Sequence, residues 1–121
     1  MEMFQGCNFE NLDFLSKWNV IKVEDISMGY KKLNNIKGVK NWNVKNVKTF
    51  IGAFSLCNNL TDVNDIKNWD MSNTEDIRLM FAFCKNLKNA GSLYKWKLKD
   101  DVMRDSPFAL CDKLILIAYY E

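Results

Sequence analysis

At 121 residues the chain has the size of one domain, large enough for a continuous core. Apolar residues make up 48% and charged residues 26%, the balance of a soluble globular protein. Seventeen basic against fifteen acidic side chains leave a net charge of +2 with no long single-sign block, which argues against nucleic acid as the default partner. The absence of histidine removes the commonest general base and any Ser-His or Cys-His dyad.

No apolar run approaches the roughly 18 residues that a membrane span needs. The opening MEMFQGCNFE has no basic segment followed by an apolar one, so no membrane contact and a cytoplasmic location are expected. A truncated piece of an exported protein would instead belong at the cell surface or be secreted.

In chain order, residues 1–8 resemble the tail of a repeat, with Phe4 and Cys7 matching Phe54 and Cys57, Phe81 and Cys84, and Phe108 and Cys111. Four repeats follow, at about residues 9–32, 33–59, 60–86 and 87–113, with partial coils at both ends of a single unit spanning 1–121. Each is centred on a tryptophan (Trp18, Trp42, Trp69, Trp96) and carries an aromatic twelve residues later (Tyr30, Phe54, Phe81, Phe108). Apolar residues stand three, six and nine positions before each tryptophan, as in Leu60-Val63-Ile66-Trp69.

The three-spaced segment reads as a short strand and the segment after the tryptophan as a helix of two or three turns. In the third repeat, Ser72-Asn73-Thr74-Glu75 reads as a capping box that starts the helix at or just after Ser72. The fourth departs from the pattern: Arg104 replaces an apolar residue and Pro107 precedes Phe108, so its helix is expected to be short, broken or 3₁₀. The tail, Leu114-Ile115-Leu116-Ile117 and beyond, reads as an edge strand and predicts self-association. A period in the twenties with this leucine spacing predicts an α/β solenoid, a leucine-rich-repeat-like right-handed coil of about four strand-turn-helix repeats with a short parallel sheet.

The segments WNVKNVKTFIGAFSLCNNL (42–60) and WDMSNTEDIRLMFAFCKNL (69–87) make a resemblance specific. They are similar to the BspA-like leucine-rich repeats of bacterial surface proteins, whose consensus runs W-D-T-S-N-V-T-x-M-x-x-M-F-x-x-C-x-x-L. The resemblance covers about residues 3 to 117. It implies a non-catalytic solenoid that binds proteins or other macromolecules, often as an adhesin.

Candidate chemistry is sparse. Cys57, Cys84 and Cys111 are spaced by 27 residues and are expected to stack as a reduced internal ladder. Coil spacing also admits a disulfide, whereas the lack of a Cys-x-x-Cys pair and of histidine disfavours metal. The acidic pairs Glu24-Asp25, Glu75-Asp76 and Asp100-Asp101 point apart in regular structure and read as surface charge. No cofactor or small-molecule substrate is expected. The lysines at 31, 32, 37, 40, 45 and 48 read as a solvated face, and the recurring tryptophans as core or turn packing rather than ligand platforms.

Residues that break the repeat are better recognition candidates: Lys37, Lys40, Tyr94 and Lys95 beside the strands, and Tyr119 and Tyr120 at the open end. The function expected is a protein–protein interaction module binding a macromolecular partner through its strand face or an open end, as a small intracellular inhibitor or host-factor antagonist. The alternative is a short or truncated surface adhesin of the BspA-like family.

Overall fold

The computed structural model describes residues 9–26 and 33–114. The expected N-terminal partial coil, Tyr30, and the edge strand beyond Leu114 lie outside the described residues. From Phe54 to Trp69 every third residue is apolar (Phe54, Cys57, Leu60, Val63, Ile66, Trp69), and all six are buried. The N–H groups of Leu60, Ile66 and Trp69 donate to the carbonyls of Cys57, Val63 and Ile66 at 3.2, 3.2 and 3.1 Å. Bonds from residue i to i−3 give three residues per turn, so side chains three apart return to the same side. The period of three thus records consecutive turns. Four of them are regular enough to be 3₁₀ segments: Asp13–Leu15, Lys37–Val39, Asn64–Ile66 and Gly91–Lys95.

The expected α/β solenoid with strand-turn-helix repeats and a parallel sheet does not form: among the described residues there is neither a strand nor an α-helix. Turn chemistry is the physical reason. The side-chain oxygens of Asn11, Asn35, Asp62 and Asn89 accept the N–H two residues on, at 3.0, 3.3, 3.2 and 3.1 Å. Asn19, Asn43 and Asp70, each just after a tryptophan, do the same at 3.0, 3.2 and 3.0 Å. Each such bond diverts an N–H that a helix or ladder would need.

The expected capping box at Ser72 is likewise replaced. Ser72 Oγ donates to Asp70 Oδ1 at 2.6 Å, and the Glu75 N–H crosses to the Lys48 carbonyl at 2.8 Å.

Successive coils are joined by isolated parallel bridges, Asp25 to Thr49 to Asp76 to Met103, with a second position at Asp62 and Asn89. Beyond the first bridges the N–H groups of Phe50, Gly52, Phe54 and Leu56 cross to the carbonyls of Asp76, Arg78, Met80 and Ala82, while those of Ala53 and Ser55 close local turns. The chain cannot run extended here because every fourth residue takes a left-handed conformation: Gly52 and Leu56, then Leu79 and Phe83, then Ser106 and Leu110, with φ between 51° and 64°. For leucine and phenylalanine that conformation costs about 1–2 kcal/mol each. Cross-coil bonding therefore reaches single bridges and not a sheet.

The core is one cluster running from Leu12 to Val102. Phe54, Phe81 and Phe108 stack along it, with ring centroids 5.6 and 5.3 Å apart. The first two coils approach closely at Gly38, where a Cβ would lie 2.1 Å from the Leu12 carbonyl oxygen. Phe81 is buried between Phe54 and Phe108, so Phe81→Ala opens a cavity in the middle of the stack. A loss of about 3–5 kcal/mol in denaturant melts is expected; a loss below about 1 kcal/mol would mean that the stack does not hold the coils together.

Candidate interaction surface

The best-defined surface feature is built by the tryptophans. Trp42, Trp69 and Trp96 are 4%, 4% and 7% exposed, and their indole N–H groups donate to the preceding coil's Leu15, Val39 and Ile66 carbonyls at 2.9, 3.0 and 2.9 Å. With the ring turned inward, the neighbours on either side face out. Within three residues of the four tryptophans lie seven lysines (Lys17, Lys40, Lys45, Lys67, Lys95, Lys97, Lys99) and a single acid, Asp70.

Lys67 is half-buried and the other six are exposed. Among the described residues none of the seven makes an ion pair. The rest of the chain is therefore net negative, and the modest overall charge hides a basic edge running from the first coil to the fourth.

Between the third and fourth coils this edge opens into a cleft of about 380 Å³ lined by Lys67, Lys95 and Lys97 together with Asp70 and Ser72. Lys97 occupies the position at which Asn19, Asn43 and Asp70 close turns in the other coils, so the fourth coil gives up that hydrogen bond for a cation. The Asp70 carboxyl is held below the usual carboxylate range, first by the Ser72 hydroxyl and then by the Ser72 N–H, with Lys45 adding a smaller attraction. A second cleft, of about 540 Å³, has Lys22, Glu24, Lys48, Glu75 and Lys99 on its walls. There charges of both signs are mixed.

Of the residues expected from the sequence, Lys95 lines the basic cleft and Lys40 lies exposed on the same edge. Lys37 is exposed one turn away, 4.0 Å from Asp13. Tyr94 lies in the Gly91–Lys95 turn. Tyr119 and Tyr120 fall outside the described residues. Of the lysine group at 31–48, Lys37, Lys40, Lys45 and Lys48 are exposed, Lys48 on the wall of the mixed cleft, and Lys31 and Lys32 are outside the described residues. Lys17, Lys67 and Lys97 were missed, and Lys99, at the far end of the same segment, lines the mixed cleft with Lys48. Aligning the repeats on their tryptophans and comparing the flanking positions would have found them.

A second repeated surface is apolar. Leu56, Phe83 and Leu110, at equivalent positions 27 residues apart, are 40%, 41% and 62% exposed and project from left-handed backbone, with Leu79 exposed nearby.

A family model described as "Mycoplasma protein of unknown function, DUF285" matches residues 1–114. The chain belongs to this family. No curated protein and no solved structure matches it.

The groups of this DUF285 chain with reactive potential are engaged in its framework. Cys57, Cys84 and Cys111 are free thiols, and the last two donate to the Phe54 and Phe81 carbonyls at 3.1 Å. The Cys111 thiol pulls the Cys84 pKa down, but the Cys57 thiol and burial outweigh it and push Cys84 up to about 12. Contact with Cys84, and burial, push Cys111 up as well. Among the described residues no cluster of three or more His, Cys, Asp or Glu side chains is arranged to hold a metal ion, and no helix is long and apolar enough to cross a membrane.

Asp76, on the bridge column and 3% exposed, contacts the Arg78 guanidinium through Nη2 at 2.7 Å and through Nε at 3.0 and 3.1 Å. Burial works to raise its pKa, but the guanidinium hydrogen bonds, the Arg78 N–H and charge attraction together hold it below the usual range. A carboxylate lowered in this way contributes its full stabilisation above the unfolded value of about 3.9 and loses it as pH falls through the folded value. Asp76→Asn should lower the melting temperature at neutral pH and flatten the acid limb below about pH 4. Asp70 titrates in the same window, so the limb should flatten without vanishing. An acid limb unchanged in the variant would show that the pair does not contribute.

Proposed function

We propose that the chain is a non-catalytic protein-interaction module that engages a macromolecular partner through the basic edge. The observation that carries this reading is the row of lysines beside the tryptophans, three of which are buried; the lysines are unpaired among the described residues and concentrated in a chain that is otherwise net negative. A structural role would give those lysines carboxylate neighbours, and an even solvated surface would mix the signs. The non-catalytic part is supported by the lack of histidine, by thiols bonded to carbonyls with raised pKa values, and by a buried carboxylate already paired with arginine.

The likeness of WDMSNTEDIRLMFAFCKNL to the BspA-like repeat favours a second reading, in which the same module works as a surface adhesin.

The test is capture with two baits, the wild-type chain and the Lys95→Glu/Lys97→Glu variant, with melting curves to confirm that both fold. A protein retained by the wild type and lost from the variant is the expected result. Identical capture profiles from two folded baits would move the binding surface elsewhere.

A further inference from the structure

We propose that the basic edge takes an acidic polypeptide segment in extended form, with a carboxylate side chain seated in the cleft between Lys67, Lys95 and Lys97. This rests on the edge being the partner-binding surface and adds the partner's chemistry. Parallel-bridged coils are about 4.8 Å apart, so the edge is about 14 Å long, the reach of roughly five extended residues. Lysines recur in every coil along that length, and their flexible ammonium groups can meet carboxylates whose spacing differs from their own. The cleft supplies the fixed point: Lys67 is half-buried, Lys95 and Lys97 bracket it, and the Asp70 carboxylate within it already accepts from Ser72 Oγ and N–H at 2.6 and 3.0 Å.

The same observations disfavour two other anionic partners. A nucleic-acid strand would call for stacking platforms and planar cations. The indoles of the second, third and fourth coils are buried with their N–H groups committed, which leaves Trp18, 45% exposed in the first coil, as a single platform, and both arginines, Arg78 and Arg104, lie away from the tryptophans. An anionic lipid surface would call for apolar side chains among the lysines of every coil, yet Trp18 beside Lys17 is exposed in the first coil while its counterparts in the next three are buried, and the exposed row at Leu56, Phe83 and Leu110 occupies a different part of each coil.

Fluorescence anisotropy on the full chain tests this with a short labelled all-glutamate peptide, an oligothymidylate of equal charge and phosphatidylserine vesicles. The glutamate peptide should bind best. Its affinity should fall roughly tenfold or more when salt rises from about 50 to 200 mM, and again in Lys95→Glu/Lys97→Glu. Lys85→Ala/Lys88→Ala, away from the edge, should bind as the wild type does. If the first variant melts early, Lys40→Glu/Lys45→Glu replaces it.

No binding of the peptide, or binding indifferent to these charge reversals, would overturn the acidic-segment assignment. Tighter, lysine-dependent binding of the oligothymidylate or the vesicles would overturn it in favour of that class. A captured partner that still depends on Lys95 and Lys97 while the glutamate peptide fails would leave the edge as the binding surface and remove only its acidic ligand.

Discussion

A buried indole must satisfy its one N–H donor or lose the free energy of a hydrogen bond, and most of what this chain does follows from how that demand is met. Trp42, Trp69 and Trp96 each reach back one coil to the carbonyl three residues before that coil's own tryptophan. The bond fixes the register of neighbouring coils at a corner where no strand pairing is available to do so. It also turns the ring inward, where Trp69 lies 5.6 Å from the Phe50 ring and 6.2 Å from the Phe54 ring. Residues on either side of the tryptophan are then obliged to face solvent. The core and the basic edge are two consequences of one side-chain contact.

The remaining backbone groups are served by three kinds of partner. Some close three-residue turns, some cross to the neighbouring coil, and some are taken by asparagine and aspartate side chains. Amide side chains join coils as well: Asn46 and Asn73 donate to the preceding coil's Ile21 and Lys45 carbonyls at 2.8 and 2.9 Å, and the buried Thr74 hydroxyl reaches Val47. A stack of turns stitched in this way tolerates left-handed leucine and phenylalanine because several bonds on each side hold the backbone in place.

Where a coil departs from the shared solution, its departure alters the surface. Lys97 removes a turn-closing acceptor and adds a cation beside Lys95; Gly38 lets the first two coils approach where larger residues stand in the third and fourth. The framework is carried by residues that recur. The clefts differ because the residues between them do not.

The sequence by itself determined most of the three-spaced buried set, since apolar residues at fixed intervals must fall on one side of any regular coil, although Trp18 and Ile51 are exposed. Leu60, Val63, Ile66 and Phe81 are buried as the alignment required. It did not determine the local conformation. A spacing of three fits an extended segment, a helix edge or successive turns, and asparagine or aspartate at fixed offsets, the deciding signal, acts through local side-chain bonds that compete with helix and ladder bonding.

Tertiary structure decided two further matters: that Thr49, Asp76 and Met103 pair as single bridges, and that lysines far apart in sequence form one edge. Both depend on the 27-residue stacking of coils, which brings Lys67 and Lys97 into one cleft and carries Lys48 into another. Nearness along the chain says nothing of that, because each residue's closest neighbours belong to the coils before and after it.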